Sequence, residues 1–139
     1  MSITMTTLER LASAFWDQVR SHALPDPVHV QFDPREETVV VQVRLTRDVG
    51  PLLAWADTLD GVRAEWWHTD TGDLHLTVTG RGPRGVRFRL YSGLRMHQCE
   101  GLVSLAEDQQ EPVSLDQLRS LNAQFQVPAH RPGRLGVLA

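Results

Sequence analysis

The stretch Val62–Tyr91, VRAEWWHTDTGDLHLTVTGRGPRGVRFRLY, carries three runs of alternating apolar and polar residues separated by two glycine-bearing breaks. A period of two marks strands with one buried face, so this stretch commits the chain to an antiparallel sheet that other elements must cover. Asp70-Thr71-Gly72 puts a glycine where a three-residue hairpin loop needs a left-handed residue. RGPRG breaks the chain again between Gly80 and Val86.

The cover is written on both sides of the stretch. Leu8, Leu11, Phe15 and Val19 recur at helical spacing, with Ala12 and Trp16 widening the stripe. Thr6 and Glu9 have the spacing of a capping box, and Leu24 before Pro25 ends this helix near His22. A second helix starts after Gly50 with Pro51 in its first turn. It runs through Leu52, Trp55, Ala56 and Leu59 to Gly61 as the terminal glycine. A third opens on Ser114 and Gln117, with Val113 and Leu118 placed as a hydrophobic staple and Leu115, Leu118, Leu121 and Phe125 as its stripe.

Between the first two helices, Val28, Val30 and Phe32 form a short alternating strand, followed by the DPREE turn and a second strand from Thr38 to Thr46. Pairing Phe32 with Val39, Val30 with Val41 and Val28 with Val43 keeps apolar opposite apolar. Leu102, Val103 and Leu105 read as an edge strand before the acidic loop EDQQE. Leaving that short edge run out of the count, the order is α-β-β-α-β-β-β-α. That order predicts a two-layer α+β sandwich, with an antiparallel sheet of about five strands and helices on one face. The length suits one domain, expected over residues 1–126, with residues 127–139 as a flexible C-terminal tail containing two prolines and two glycines.

Composition excludes several classes of function. No apolar run approaches the roughly 20 residues of a membrane span. The opening MSITMTTLER lacks a basic segment followed by an apolar one, so the expected address is cytoplasmic, in keeping with the single Cys99. Net charge is −3, but unevenly laid out. Residues 81–95 hold five arginines and no acid, and residues 97–116 hold five acids and no arginine. The basic block is thus local and argues for partner or intramolecular charge matching as much as for a nucleic acid.

Sorting the strands by alternation sends Val62, Ala64, Trp66, Leu74, Leu76, Val78, Val86, Phe88 and Leu90 inward. The outer face then gathers Arg63, Trp67, His75, Arg87, Arg89 and Tyr91, side chains of the kind enriched at interface hot spots. Loop lengths predict the rows Arg63–Thr79–Arg87, Glu65–Thr77–Arg89 and Trp67–His75–Tyr91, with Glu65 and Arg89 as an exposed ion pair.

Other constellations carry less. HTDTGDLH offers metal-type side chains, but His68 and His75 fall on opposite faces of the hairpin. His97 and Cys99 are two ligands where zinc takes four, although on a strand they would share a face. GRGPRG joins two strands, whereas phosphate-cradling glycines open a helix, and no G-x-S-x-G elbow is present. No metal or cofactor is expected.

The element order resembles the general layout of secretion-chaperone-like dimers, a likeness of topology alone. The aromatic–arginine grid on the outer face, together with the absence of an assembled catalytic set, is the ground for expecting a non-enzymatic adaptor, acting as a homodimer, that engages a protein partner through the open sheet face or a strand edge. The alternative is a nucleic-acid-binding accessory protein using Arg81, Arg84, Arg87, Arg89 and Arg95.

Overall fold

A computed structural model describes residues 5–126, the side chain of Gln126 excepted; the expected C-terminal tail, residues 127–139, lies outside them. Three helices, α1 (Thr7–Ser21), α2 (Gly50–Ala56) and α3 (Leu115–Gln126), accompany β1 (His29–Asp33), β2 (Thr38–Gln42), β3 (Asp60–His68), β4 (Asp73–Arg81), β5 (Arg87–Arg95) and β6 (Gln110–Val113). The strands form one six-stranded sheet in the order β1-β2-β5-β4-β3-β6. Every pairing is antiparallel except β2 with β5, which is parallel. The α+β class and the covered single face follow the sequence expectation, with one strand more than the five expected.

One row shows why the alternation forces this architecture. Val30, Val41, Leu90, Val78, Ala64 and Val113 are consecutive cross-strand partners, so an apolar line crosses all six strands on one face. Helix residues close over it, and Leu11, Leu52, Trp55 and Leu118 are fully buried in the same cluster as Val41, Leu90 and Val78. The Phe15 and Trp55 rings stack with centroids 6.3 Å apart, and the Trp55 indole N–H donates to Pro25 O at 3.0 Å, holding α2 under α1. Both expected capping boxes form. Glu9 N donates to Thr6 Oγ1 at 3.1 Å, and Gln117 N donates to Ser114 Oγ at 3.0 Å.

Five local expectations are corrected. The α1 stripe is rotated, burying Leu11, Ala14, Phe15 and Gln18 while Leu8 and Trp16 stay half exposed. The cause is Gln18, whose amide donates to Thr58 O at 3.3 Å and to the Thr58 hydroxyl, which satisfies a polar group inside the helix–helix seam. Helix α2 ends at Ala56, and Gly61 is a strand residue at φ +59 beside a bulge between Asp60 and Arg63. The strand expected from Thr38 to Thr46 stops at Gln42.

The edge strand is not Leu102–Leu105 but the polar Gln110–Val113. It pairs with β3 and is pinned by the Trp66 indole N–H donating to Glu111 Oε1 at 2.8 Å. Its Pro112 is tolerated because an edge strand can lack a ladder donor. Leu105 turns inward instead, and its carbonyl lies 2.7 Å from His68 Nδ1.

The last correction is one of register. RGPRG closes through a three-residue turn, Pro83–Gly85, with Gly82 N bonded to Val86 O at 2.9 Å. Arg84 and Gly85 both take positive φ there. The turn is centred one residue later than expected, which slides β5 by two residues along β4.

Candidate functional site

The face of the sheet opposite the described helices holds all six residues expected at a partner surface, in rows set by the new register. Arg63, Thr79 and Arg89 are successive cross-strand partners; Glu65, Thr77 and Tyr91 form the next row; Trp67, His75 and Gly93 the one after. Arg87 sits opposite Arg81. The expected rows through β3 and β4 therefore hold, but each β5 residue is displaced by one row. Glu65 and Arg89 make no ion pair among the described residues.

The aromatic cluster survives the displacement because Trp67 and His75 remain direct partners while the His75–Tyr91 contact becomes diagonal. The Trp67 and His75 rings meet edge to face with centroids 6.1 Å apart, and His75 and Tyr91 lie nearly parallel at 6.0 Å. Tyr91 donates its hydroxyl to Gln42 Oε1 at 3.3 Å, which anchors the ring toward β2. Trp67, at 41% exposure, is among the large apolar side chains left open to solvent. Gly93 puts no side chain opposite His75, and a groove of about 500 Å3 runs there, bordered by Gln42, Asp73, Tyr91 and Arg95. Gly93 and Gln42 leave no mark in the alternation pattern because neither has an apolar or charged group, and only the β5 register brings them to the ring cluster.

His75 titrates below its ordinary value, first because half-burial disfavours the cation and second because Arg89 repels it; Asp73 pulls the other way. It is the neutral imidazole at neutral pH.

At the other end of the face is a second concavity, about 360 Å3, lined by Gly61, Arg63, Thr79, Gly80, Arg81 and Arg87. Its origin is the β3 bulge. A side-chain-free, left-handed Gly61 stands where a regular strand would present bulk. The Trp67 row lies two rows from the Arg63 row, a separation of four residues, or about 13 Å along the strands.

The five arginines of residues 81–95 do not act as one block. Arg84 is paired with Asp17 at 2.7 Å and Arg95 with Asp73 at 3.5 Å, while Arg81 donates to Gly85 O at 3.1 Å. Arg87 and Arg89 carry no ion pair among the described residues, and Arg63 joins them from β3.

The remaining candidates separate. His68 faces the covered side, bonded to Leu105 O, and His75 the open side. His97 and Cys99 lie on a short 3-10 turn, not a strand, so they diverge. His97 is exposed, and Cys99 is fully buried with its thiol pushed up to about 11 by burial. Among the described residues no three His, Cys, Asp or Glu side chains gather as a metal site, and no helix is long and apolar enough to cross a membrane. Compared with known protein families, curated proteins and solved structures, the chain matches none.

Proposed function

We propose that this protein is a non-enzymatic binding or adaptor protein that engages a protein partner through the open face of its sheet. The observation that carries the reading is the Trp67–His75–Tyr91 ring cluster lying beside the Gly93 groove on a face that none of the described helices covers. Large rings held rigid by mutual packing lose little entropy on binding, and a groove beside them accepts a partner side chain. The Arg63 and Trp67 rows, about 13 Å apart, are spanned by roughly four residues of extended chain. The face is favoured over the strand edges because β6 has four residues including Pro112 and β1 only five, which are short templates for strand addition. The same reading has the protein acting as a homodimer, for which sedimentation equilibrium would give twice the 15.7 kDa chain mass.

The test is capture of a partner from the native cell with a nuclease-treated control, comparing the natural chain with the Trp67→Ala, Arg89→Ala double variant. Loss of the captured protein in the variant supports the face; undiminished capture removes it.

A second reading, a nucleic-acid accessory protein, draws on the unpaired Arg87 and Arg89. It predicts retention on a polyanion column that falls steeply with salt. Flow-through at low salt ends it.

A further inference from the structure

The corner formed by Arg63, Arg81, Arg87 and Arg89 is electrostatically unusual. Arg81 and Arg87 are direct cross-strand partners, Arg89 is two residues further along β5, and Arg63 reaches the same place across Thr79. Like charges opposite one another in a sheet repel, and no carboxylate among the described residues lies within ion-pair distance of these four. None of the four makes an ion pair among the described residues. Asp60, the backbone partner of Arg81, does not pair with its guanidinium either. Neighbouring arginines are treated differently, Arg84 being held by Asp17 and Arg95 by Asp73. A pocket opens among the unpaired groups, at the glycine bulge.

We propose that this corner seats two adjacent carboxylates on an acidic segment of the protein partner, an inference that rests on the open face being the binding face. The size of the positive region decides for a short acidic segment. It covers three strands and two rows, about 10 Å by 7 Å, the span of two neighbouring acidic side chains. A phosphodiester chain presents charge after charge and needs a basic track that continues. Here the next row holds the exposed Glu65, and the two arginines that would have extended the track are already neutralised. Packed rings are also poor platforms for bases, since the surface that Trp67, His75 and Tyr91 share among themselves is not open to stacking. Guanidinium forks bind carboxylates bidentately, which suits a pocket walled by several of them.

Fluorescence anisotropy on the full chain tests this with three labelled probes: a peptide carrying two adjacent glutamates, its glutamine counterpart and a short thymidine oligonucleotide. The glutamate peptide is expected to bind and the glutamine peptide not. Arg63→Gln or Arg87→Gln should each weaken binding about tenfold, while Arg84→Gln, whose guanidinium is held by Asp17, leaves it unchanged. The proposal is overturned if the two peptides behave alike, bound or unbound, or if the oligonucleotide binds more tightly than the glutamate peptide. In the partner-capture assay, retention by Arg63→Gln, Arg87→Gln with loss in Trp67→Ala would sink the acidic-segment inference and leave the binding face standing. Retention by every one of these variants would remove the face itself.

Discussion

His75 lies in the ring cluster at one end of the open face, and its titration feels both Arg89 from the basic corner and Asp73. Burial and Arg89 hold its pKa below the ordinary 6.5. The unfolded chain therefore takes up a proton that the folded chain resists. The stability contributed by this group is complete above about pH 6.5 and is lost as pH falls through the folded value. An NMR titration of the imidazole should show the depressed pKa, moved upward in Arg89→Gln because a repelling cation is gone, and further downward in Asp73→Asn. A His75 that titrates at its ordinary value, or ignores Arg89→Gln, contradicts the geometry. Ser92 is the opposite kind of residue. On the covered face of β5, its hydroxyl is buried with no hydrogen-bond partner among the described residues. Ser92→Ala is expected to leave stability unchanged or raise it by up to about 1 kcal/mol in a denaturant melt, since a buried unsatisfied hydroxyl is removed. A clear loss would mean the hydroxyl has a partner.

At the scale of elements, the β4–β5 connection decides which side chains meet. Its three-residue turn aligns Tyr91 with Thr77 and Arg89 with Thr79, and Gly82 makes the closure possible. A Cβ on Gly82 would fall 2.6 Å from the Phe88 ring, while one on Gly93 would meet only Leu74 O at an ordinary 3.7 Å. Gly82→Ala should destabilise by about 1–3 kcal/mol through forced displacement of a buried aromatic, and Gly93→Ala by well under that. Thermal melts of the two variants, compared side by side, check the assignment; equal effects would argue against this turn. The short strand β6 illustrates how elements arise without a local signal. Gln110-Glu111-Pro112-Val113 has no strand pattern, yet it becomes one because β3 presents an open edge and Trp66 offers an indole N–H to Glu111. By contrast, the apolar Leu102–Leu105 run lacks an edge to pair with and contributes Val103 and Leu105 to the core as loop residues.

For the molecule as a whole, the parallel β2–β5 pairing joins the first hairpin to the four strands that follow α2. Leu90 lies at that junction, fully buried, with Val41 on one side and Val78 on the other. If residues 1–126 form a single domain, Leu90→Ala should cost about 2–5 kcal/mol and shift one transition seen alike by tryptophan fluorescence and far-ultraviolet circular dichroism. Two separated transitions would divide the chain. Much of this was determined by the residues in order. The alternation of Val62–Tyr91 set the sheet and its two faces, the capping boxes at Thr6 and Ser114 set where helices begin, and Asp70-Thr71-Gly72 set the β3–β4 register. These are short-range effects, decided by backbone conformation and by which side chains seek water. Which arginines stay unpaired, where Arg63 meets Arg89, and that Gly93 opens a groove beside His75 were decided only in three dimensions. A one-residue difference in turn centre, a bulge at Gly61 and acids as distant as Asp17 settle those matters, and no local pattern encodes them.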